Sequence, residues 1–542
     1  MSQTTQAKRQ RAVGAGLIVA ALVIVATAIG YSIARGPNSS VPEGFVYAEG
    51  AEFMLDGEPF YYAGANAYTL MLESDAAVDM YMRTFAESNL VVARAWAFND
   101  MGNRADNPAD ATPPSGVHFQ YWDHEAGAPA YNTGSDGLER LDYMIHSANE
   151  HSVKLVLPLV NNWTTFGGTD QYVQWAGGQY HDDFFTDPQI KQWYKNWVQT
   201  VLERENTYSG VKYKDDPAIM AWELGNELRC AGALPASDAC HSDIFVEWAE
   251  EMSTYVRSID PHHLIGFGGE GFLCTDPGGP STLTNCEESA DPVALLALDN
   301  IDMNGIHLYP NHWHPTDPTD DWEDWGVWWL EQHGQIANDA NKPYFIGEYG
   351  WLDLGERTAV FDRWLQAFHD AGGDGSHFWL MQPAVSIAAP ADGFGFTQRC
   401  PGSACDLVGN WTRYLNEGKD WNIFAPIAVT DFAASTIDGT VTVDVLANDK
   451  LYGDATWDLA TLDLDPETPG IQTELVTSRG TFSVVNGQIM FVSDPSETGT
   501  ARVEYAVTDS RGNSTRPARL AVTRVDNAEE LEEILAEAEA TD

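Results

Sequence analysis

Glu227 and Glu348 are the residues of this 542-residue chain whose surroundings best fit a reaction. Each follows a short apolar run. Ile219-Met220-Ala221-Trp222 leads through Glu223-Leu224-Gly225 to Asn226-Glu227, and Pro343-Tyr344-Phe345-Ile346-Gly347 leads to Glu348. Buried strands of that kind, followed by helices, display reactive groups at one rim of a parallel barrel. Two carboxyls so presented can divide a glycosidic cleavage. One protonates the departing oxygen, and the other attacks the anomeric carbon when the two lie about 5–5.5 Å apart, which retains configuration. An amide beside the acid can bind the sugar hydroxyl next to the reacting carbon. Glu227 is therefore expected as the acid and base, and Glu348 as the nucleophile.

This division needs the two acids held at different proton affinities. Glu348 needs hydrogen bonds or a cation to stay ionised, and Glu227 needs the drier setting. Arg94, at the end of the strand-like run Leu90-Val91-Val92-Ala93, and Tyr309 are available to Glu348, since an unpaired cation in such a run would be costly. Trp96, Trp163, Trp313 and Trp379 fall at or just beyond predicted strand ends, where flat rings can stack on sugar faces. The three histidines of His307-Leu308-Tyr309-Pro310-Asn311-His312-Trp313-His314 lack a carboxylate at ligand spacing, so no metal site is expected. No Gly-x-Ser-x-Gly elbow and no glycine-rich phosphate loop is present, and no cofactor is expected.

Eight apolar runs supply the positions: Phe60–Gly64, Leu90–Trp96, Leu155–Val160, Ile219–Leu224, Leu264–Phe267, Ile301–Ile306, Tyr344–Ile346 and His377–Leu380. Between them lie segments with helical spacing, such as Ile190, Trp193, Tyr194, Trp197, Val198 and Val201, or Phe245, Trp248, Ala249, Met252 and Val256. Eightfold alternation predicts an α/β fold, a (β/α)8 TIM barrel, although a doubly wound sheet shares much of the pattern. A hairpin with an Asp56-Gly57 turn precedes it. Beyond Phe424 the texture changes to period-two alternation, as in Val441, Val443 and Val445, which predicts a small antiparallel β-sandwich. The organisation read from the sequence is an N-terminal anchor or signal over 1–36, a catalytic barrel over 37–424, the sandwich over 425–525 and an acidic tail over 526–542.

Composition narrows the partners. With 80 acidic against 29 basic residues the net charge is -51, which repels nucleic acid and anionic membrane surfaces and favours a neutral substrate. Lys8, Arg9 and Arg11 precede an uncharged, mostly apolar run from Ala12 to Ala34, long enough to span a bilayer. Ala26-Thr27-Ala28 offers a cleavage site, so a removed signal peptide competes with a membrane anchor, and both place the remainder outside the cytoplasm. The six cysteines allow fifteen pairings and fall into three sequence-local ones, Cys230 with Cys240, Cys274 with Cys286 and Cys400 with Cys405, read as loop-stapling disulfides.

Several motifs together resemble the endo-β-1,4-mannanase branch of glycoside hydrolase family 5. They include Gly64-Ala65-Asn66-Ala67-Tyr68, Arg94-Ala95-Trp96-Ala97-Phe98-Asn99-Asp100, Asn161-Asn162-Trp163 with Phe166-Gly167-Gly168, and Tyr213-Lys214-Asp215-Asp216-Pro217 leading to Asn226-Glu227-Leu228-Arg229-Cys230. The resemblance runs from about Phe45 to Phe424 and implies an exported, cofactor-free enzyme acting on β-mannan, glucomannan or galactomannan. It implies Glu227 as proton donor and Glu348 as nucleophile, with Arg94, Asn226, His307, Tyr309 and Trp379 around them. It further implies Trp96, Asn162, Glu270 and Trp313 on the non-reducing side of the cleavage point, and Arg229 on the leaving side. Leu228 stands where the family usually has proline, and Tyr349 where many mannanases have phenylalanine. A cellulase-like β-1,4-glucanase on the same barrel and a non-catalytic carbohydrate-binding surface protein are the competing readings. The stretch Val443-Asp444-Val445-Leu446-Ala447-Asn448-Asp449 resembles cadherin-like or immunoglobulin-like repeats of bacterial surface proteins.

Overall fold

In a computed structural model of the chain, the described residues are 41–102, 116–316, 318–383, 396–400, 403–416 and most of 426–525. The apolar run Ala12–Ala34 and the tail beyond 525 lie outside them. Among the described residues no helix is long and apolar enough to cross a membrane.

The eight apolar runs form eight strands: β1 (Tyr62–Asn66), β2 (Val92–Arg94), β3 (Lys154–Pro158), β4 (Ile219–Glu223), β5 (Leu264–Gly266), β6 (Asn304–Leu308), β7 (Tyr344–Tyr349) and β8 (Gly375–Phe378). All ladders between them are parallel, in the order β5-β4-β3-β2-β1-β8-β7-β6. This is the barrel rather than the doubly wound sheet, because β1 pairs with both β2 and β8. Strands buried on both faces read as continuous apolar runs, and these strands are buried almost throughout. Between β5 and β6 no ladder forms. The seam is stitched by Asp302, whose N–H donates to the Ile265 carbonyl at 2.8 Å while its carboxylate accepts the Ile265 N–H at 2.7 Å.

Helices follow the strands and cover the barrel. Pro188–Leu202 buries Ile190, Tyr194, Trp197, Val198 and Val201, and Ser242–Ile259 buries Phe245, Trp248, Ala249, Met252 and Val256, as their spacing predicts. Trp193 lies at the margin of that face, half-buried edge-on against Trp122. Asp187, at the N-cap of Pro188–Leu202, accepts the N–H groups of Gln189 and Ile190, and Pro188 takes the first helical position, where its missing N–H costs nothing. Val46–Glu49 and Glu52–Leu55 form the N-terminal hairpin, and a further strand, Glu58–Pro59, returns through Asp56-Gly57, both residues having positive φ. The three disulfides pair as the spacing predicts.

Beyond the barrel, two four-stranded sheets enclose a separate core that includes Phe482, Ile489, Phe491, Val503, Tyr505 and Leu520. The sandwich departs from the expected all-antiparallel form in one pair. Asp431–Thr436 runs parallel to Ala518–Val525, since the first strand joins the last across a long sequence separation rather than through a hairpin.

The barrel floor generates one prediction. A Cβ on Gly375 would lie 2.1 Å from the Tyr62 ring, between two strands that cannot part. Gly375→Ala should destabilise the fold by about 1–3 kcal/mol, read as a lower urea midpoint with unchanged m-value.

Candidate active site

The carboxyl ends of β2, β4, β6 and β7 meet at one rim. Arg94, the last residue of β2, is wholly buried and donates through Nε to Glu223 at 2.8 Å, through Nη1 to Glu348 at 2.7 Å and to Asn66 at 3.1 Å, and through Nη2 to Asn226 at 2.8 Å. Glu348, on β7, accepts a second bond from the Tyr309 hydroxyl at 2.8 Å. Glu227 lies four residues past β4, in a turn where its φ is +56°. It accepts the Trp163 indole N–H at 2.6 Å on one oxygen and faces His307 Nδ1 at 2.8 Å on the other. One oxygen of Glu227, one of Glu348 and a ring nitrogen of His307 all lie within 4.8 Å of one another. The two acids thus face each other across a single small gap.

That trio has the atom types of a cation site. The Arg94 guanidinium and the Tyr309 hydroxyl engage the two oxygens of Glu348.

Electrostatics around the pair differ from the expectation. The Glu348 side chain is 4% exposed and that of Glu227 14%, so the drier setting belongs to Glu348. Burial and the neighbouring Glu227 charge push Glu348 above the ordinary carboxylate range, with Arg94 and Tyr309 opposing. Glu227 falls to about 2, because burial is outweighed by the bond and charge of His307, with Arg229 and Trp163 adding to them. Burial also drives His307 down to about 4, so at neutral pH its charge is gone and only its N–H remains for Glu227. Two carboxyls this close titrate as a pair. Among the described residues, Arg94 is the permanent cation bonded to either carboxyl, and its partner is Glu348.

A family model described as GH family 5 beta-mannosidase-like matches residues 43–363. The chain belongs to glycoside hydrolase family 5. A bacterial Ig domain model matches residues 423–523 of this family 5 protein. Mannan endo-1,4-beta-mannosidase F of Aspergillus fumigatus is 35% identical over 359 residues, spanning 65% of this chain and 75% of that protein. The endo-1,4-beta-mannanase structure from Rhizomucor miehei aligns at a TM-score of 0.62 and 35% identity, covering 68% of this chain and 99% of the other. The endo-beta-1,4-mannanase from Thermotoga petrophila aligns at 0.57 and 27%, covering 87% and 100%.

The structure redistributes several residues of this glycoside hydrolase. Glu227, Glu348, Arg94, Asn226, His307 and Tyr309 come together as expected. Trp379 stacks on Tyr68 with centroids 5.0 Å apart and remains half-buried at the rim. Trp96 is buried at 3% exposure, beneath Trp379 and against Arg94 at 5.0 Å, so it supports the site from below. Asn162 is fully enclosed and hydrogen-bonded to His181, Arg229 and Ala231. Arg229 and Glu270, expected on opposite sides of the cleavage point, form a two-bond pair. Trp313 is wedged among Phe272, Tyr309, Trp325 and Trp329. Two partners escaped the sequence reading: Glu223, the terminal residue of β4, which pairs with Arg94, and Trp163, which had been read as a sugar platform and is a donor to Glu227. A glutamate inside an apolar run, opposite an arginine inside another, was the available signal for the first.

Arg94→Met would strip the cation from two buried carboxyls. A loss of about 3–5 kcal/mol is expected near neutral pH. Without a cation, burial raises both folded-state proton affinities above their unfolded values, so the deficit is full at high pH and shrinks as acidification protonates both groups. Urea denaturation across pH checks both size and slope.

Proposed function

We propose that this protein is a retaining endo-β-1,4-mannanase that cleaves internal bonds of β-mannan, glucomannan or galactomannan by double displacement. The observation that carries the mechanism is the Glu227–Glu348 pair, with oxygens within 4.8 Å and separate sets of donors. Oxygens this close suit direct attack by one carboxylate. The names of the family 5 relatives supply the sugar.

With one proton on the pair, the productive arrangement places it on Glu227. Arg94 and Tyr309 both stabilise the ionised form of Glu348, whereas the neutral donors at Glu227 can accommodate either form. The Glu348 oxygen attacks the anomeric carbon as the bond to the leaving oxygen breaks, and Glu227 delivers its proton to that oxygen. A covalent glycosyl ester results. Glu227, now a base, takes a proton from water. The hydroxyl oxygen bonds to the anomeric carbon, and Glu348 departs as carboxylate. Trp379 at the rim offers the flat wall for the sugar held over the pair, and Asn226, oriented by Arg94 and Asn161, offers its amide to the adjacent hydroxyl.

Export is part of the proposal. Three disulfides fit an oxidising compartment, and the run Ala12–Ala34 supplies a signal or an anchor, which the mass of the mature N-terminus distinguishes.

Glu227→Ala should lower kcat on mannan by about 10²–10⁴-fold and recover much of that loss on an activated aryl mannobioside whose leaving group needs no proton. Glu348→Ala should be inactive on both while still binding oligosaccharide. Mannohexaose should give mainly internal cleavage products, whereas faster hydrolysis of carboxymethylcellulose than of mannan would replace the mannanase assignment with a glucanase one.

The pH profile gives a further check. Tyr309→Phe removes a bond that favours ionised Glu348, so the acid limb of kcat/KM should move to higher pH. An unmoved acid limb would remove Tyr309 from the stabilisation of the nucleophile.

A further inference from the structure

The segment that follows Glu227 is held by a buried polar chain that the proposed reaction does not use. Asp170, in the helix Gly168–Ala176, places one oxygen 2.6 Å from His181 Nδ1. Its other oxygen accepts the backbone N–H groups of Ala233 and Leu234 at 2.8 and 3.1 Å. His181 Nε2 lies 2.9 Å from Asn162 Oδ1 and 3.3 Å from Thr169 Oγ1. The same Asn162 oxygen accepts the Arg229 N–H at 2.8 Å, and Asn162 Nδ2 donates to the Ala231 carbonyl at 3.2 Å. His181 is fully enclosed, and Gly232 rests on its ring so closely that a Cβ there would lie 2.5 Å from Cε1 and Nδ1.

The donors and acceptors can be assigned by elimination. Turning the Asn162 amide over would set its oxygen against the Ala231 carbonyl and its NH2 against the Arg229 N–H, so its oxygen must face His181. The Thr169 hydroxyl gives its proton to the Asn162 carbonyl at 3.1 Å, which leaves its oxygen facing the ring as an acceptor. Asp170 remains a carboxylate. Its second oxygen already takes two backbone N–H groups, an arrangement that favours the ionised form. The ring nitrogens therefore face only acceptors, and a neutral imidazole has one N–H to offer where two are needed. Of the other nearby charges, Asp182 is engaged by Ser237, Asp183 by the Gln179 and Tyr180 N–H groups, and the Arg229 guanidinium by Glu270.

We infer that His181 carries both ring protons as a buried imidazolium and is a positioning residue for Arg229–Leu234, the segment that orders the surroundings of Glu227. The link is short. With its backbone N–H fixed to Asn162, Arg229 lays its guanidinium over Trp163 at 5.3 Å, and the Trp163 indole donates to Glu227 at 2.6 Å. The positioning role rests on Glu227 being the acid; the double protonation does not.

Nitrogen-resolved NMR of the imidazole rings in the unaltered full chain tests the protonation first. Hydrogen on both His181 nitrogens at neutral pH is expected, in Glu227→Ala as well, and one bare nitrogen overturns the inference. His181→Gln then tests the role. It should lower kcat by about ten- to a hundredfold with little change in KM. It should also move the alkaline limb of kcat/KM to higher pH, because a displaced Arg229 no longer depresses Glu227. A lower Tm with unchanged kcat and pH profile would reduce His181 to a structural residue and overturn the positioning role. Should His181→Gln not fold, Gly232→Ala, which presses on the ring, is read against the same two outcomes.

Discussion

A guanidinium without water around it is among the most expensive groups a protein can bury, and the rim of this barrel is arranged around one. Arg94 is the terminal residue of β2, and its partners come from the ends of β1, β4 and β7, so four strands converge on one side chain. Each partner is itself fixed. Asn66 donates to the Gly347 carbonyl at 2.9 Å, and Asn226 donates to Asn161 at 3.1 Å. Two carboxylates and two amide oxygens satisfy the fork, and Trp96 presents its ring face from 5.0 Å. A cation so enclosed cannot be exchanged for a smaller or differently shaped one without leaving charge unpaired. The same fork that keeps Arg94 in the fold thereby fixes where Glu348 points.

That arrangement makes two chemically identical side chains unequal. Glu348 has a permanent charge in contact, whereas Glu227 has an indole N–H and an imidazole that burial keeps uncharged near neutrality. Both acids are buried, and the Glu227 charge raises Glu348 further. The distinction lies in the partners: a fixed charge favours one protonation state under all conditions, and neutral dipoles can turn or yield a proton. Arg229, the other cation nearby, is drawn away by Glu270 and sandwiched between Trp163 and Phe272, so it acts on Glu227 from a distance. In a chain with 29 basic against 80 acidic residues, placing both of these arginines beside one gap is a large commitment of positive charge.

The local grammar of the chain made the scaffold readable. Strand runs of three to seven residues and helical stripes report burial residue by residue, and all eight barrel strands overlap the predicted runs. The short cysteine spacings likewise pointed to local loops, which the three disulfides form. Glu227 and Glu348 were legible because each followed such a run. Glu223 was passed over since it belongs to the run itself, and its need for a partner is met 129 residues away. Trp96 and Asn162, both buried, show what such a run does not report. An aromatic ring or an amide beyond a strand end resembles a ligand contact, but whether it faces the opening or the layer beneath depends on how neighbouring loops stack over it. Pairings such as Arg229 with Glu270, and the Asp170–His181–Asn162 chain, join residues from separate βα segments and leave no periodic trace.

The backbone at Glu227 shows why that placement persists. A non-glycine residue at φ +56° carries a cost of order 1–3 kcal/mol, and a free turn would relax it. Here neither neighbour permits relaxation. The Asn226 N–H donates to the Val160 carbonyl at 2.8 Å on the β3 side, and the Glu227 N–H donates to the Gly268 carbonyl at 2.7 Å on the β5 side. Gly268 itself has φ +79°, and a Cβ on it would lie 1.8 Å from the Gly225 carbonyl oxygen, so the β5 side closes on this turn only because that residue lacks a side chain. The strained residue is therefore clamped by the two strands that flank β4. Its backbone is thus set by the frame of the barrel, on the side of the mouth that Glu348 faces.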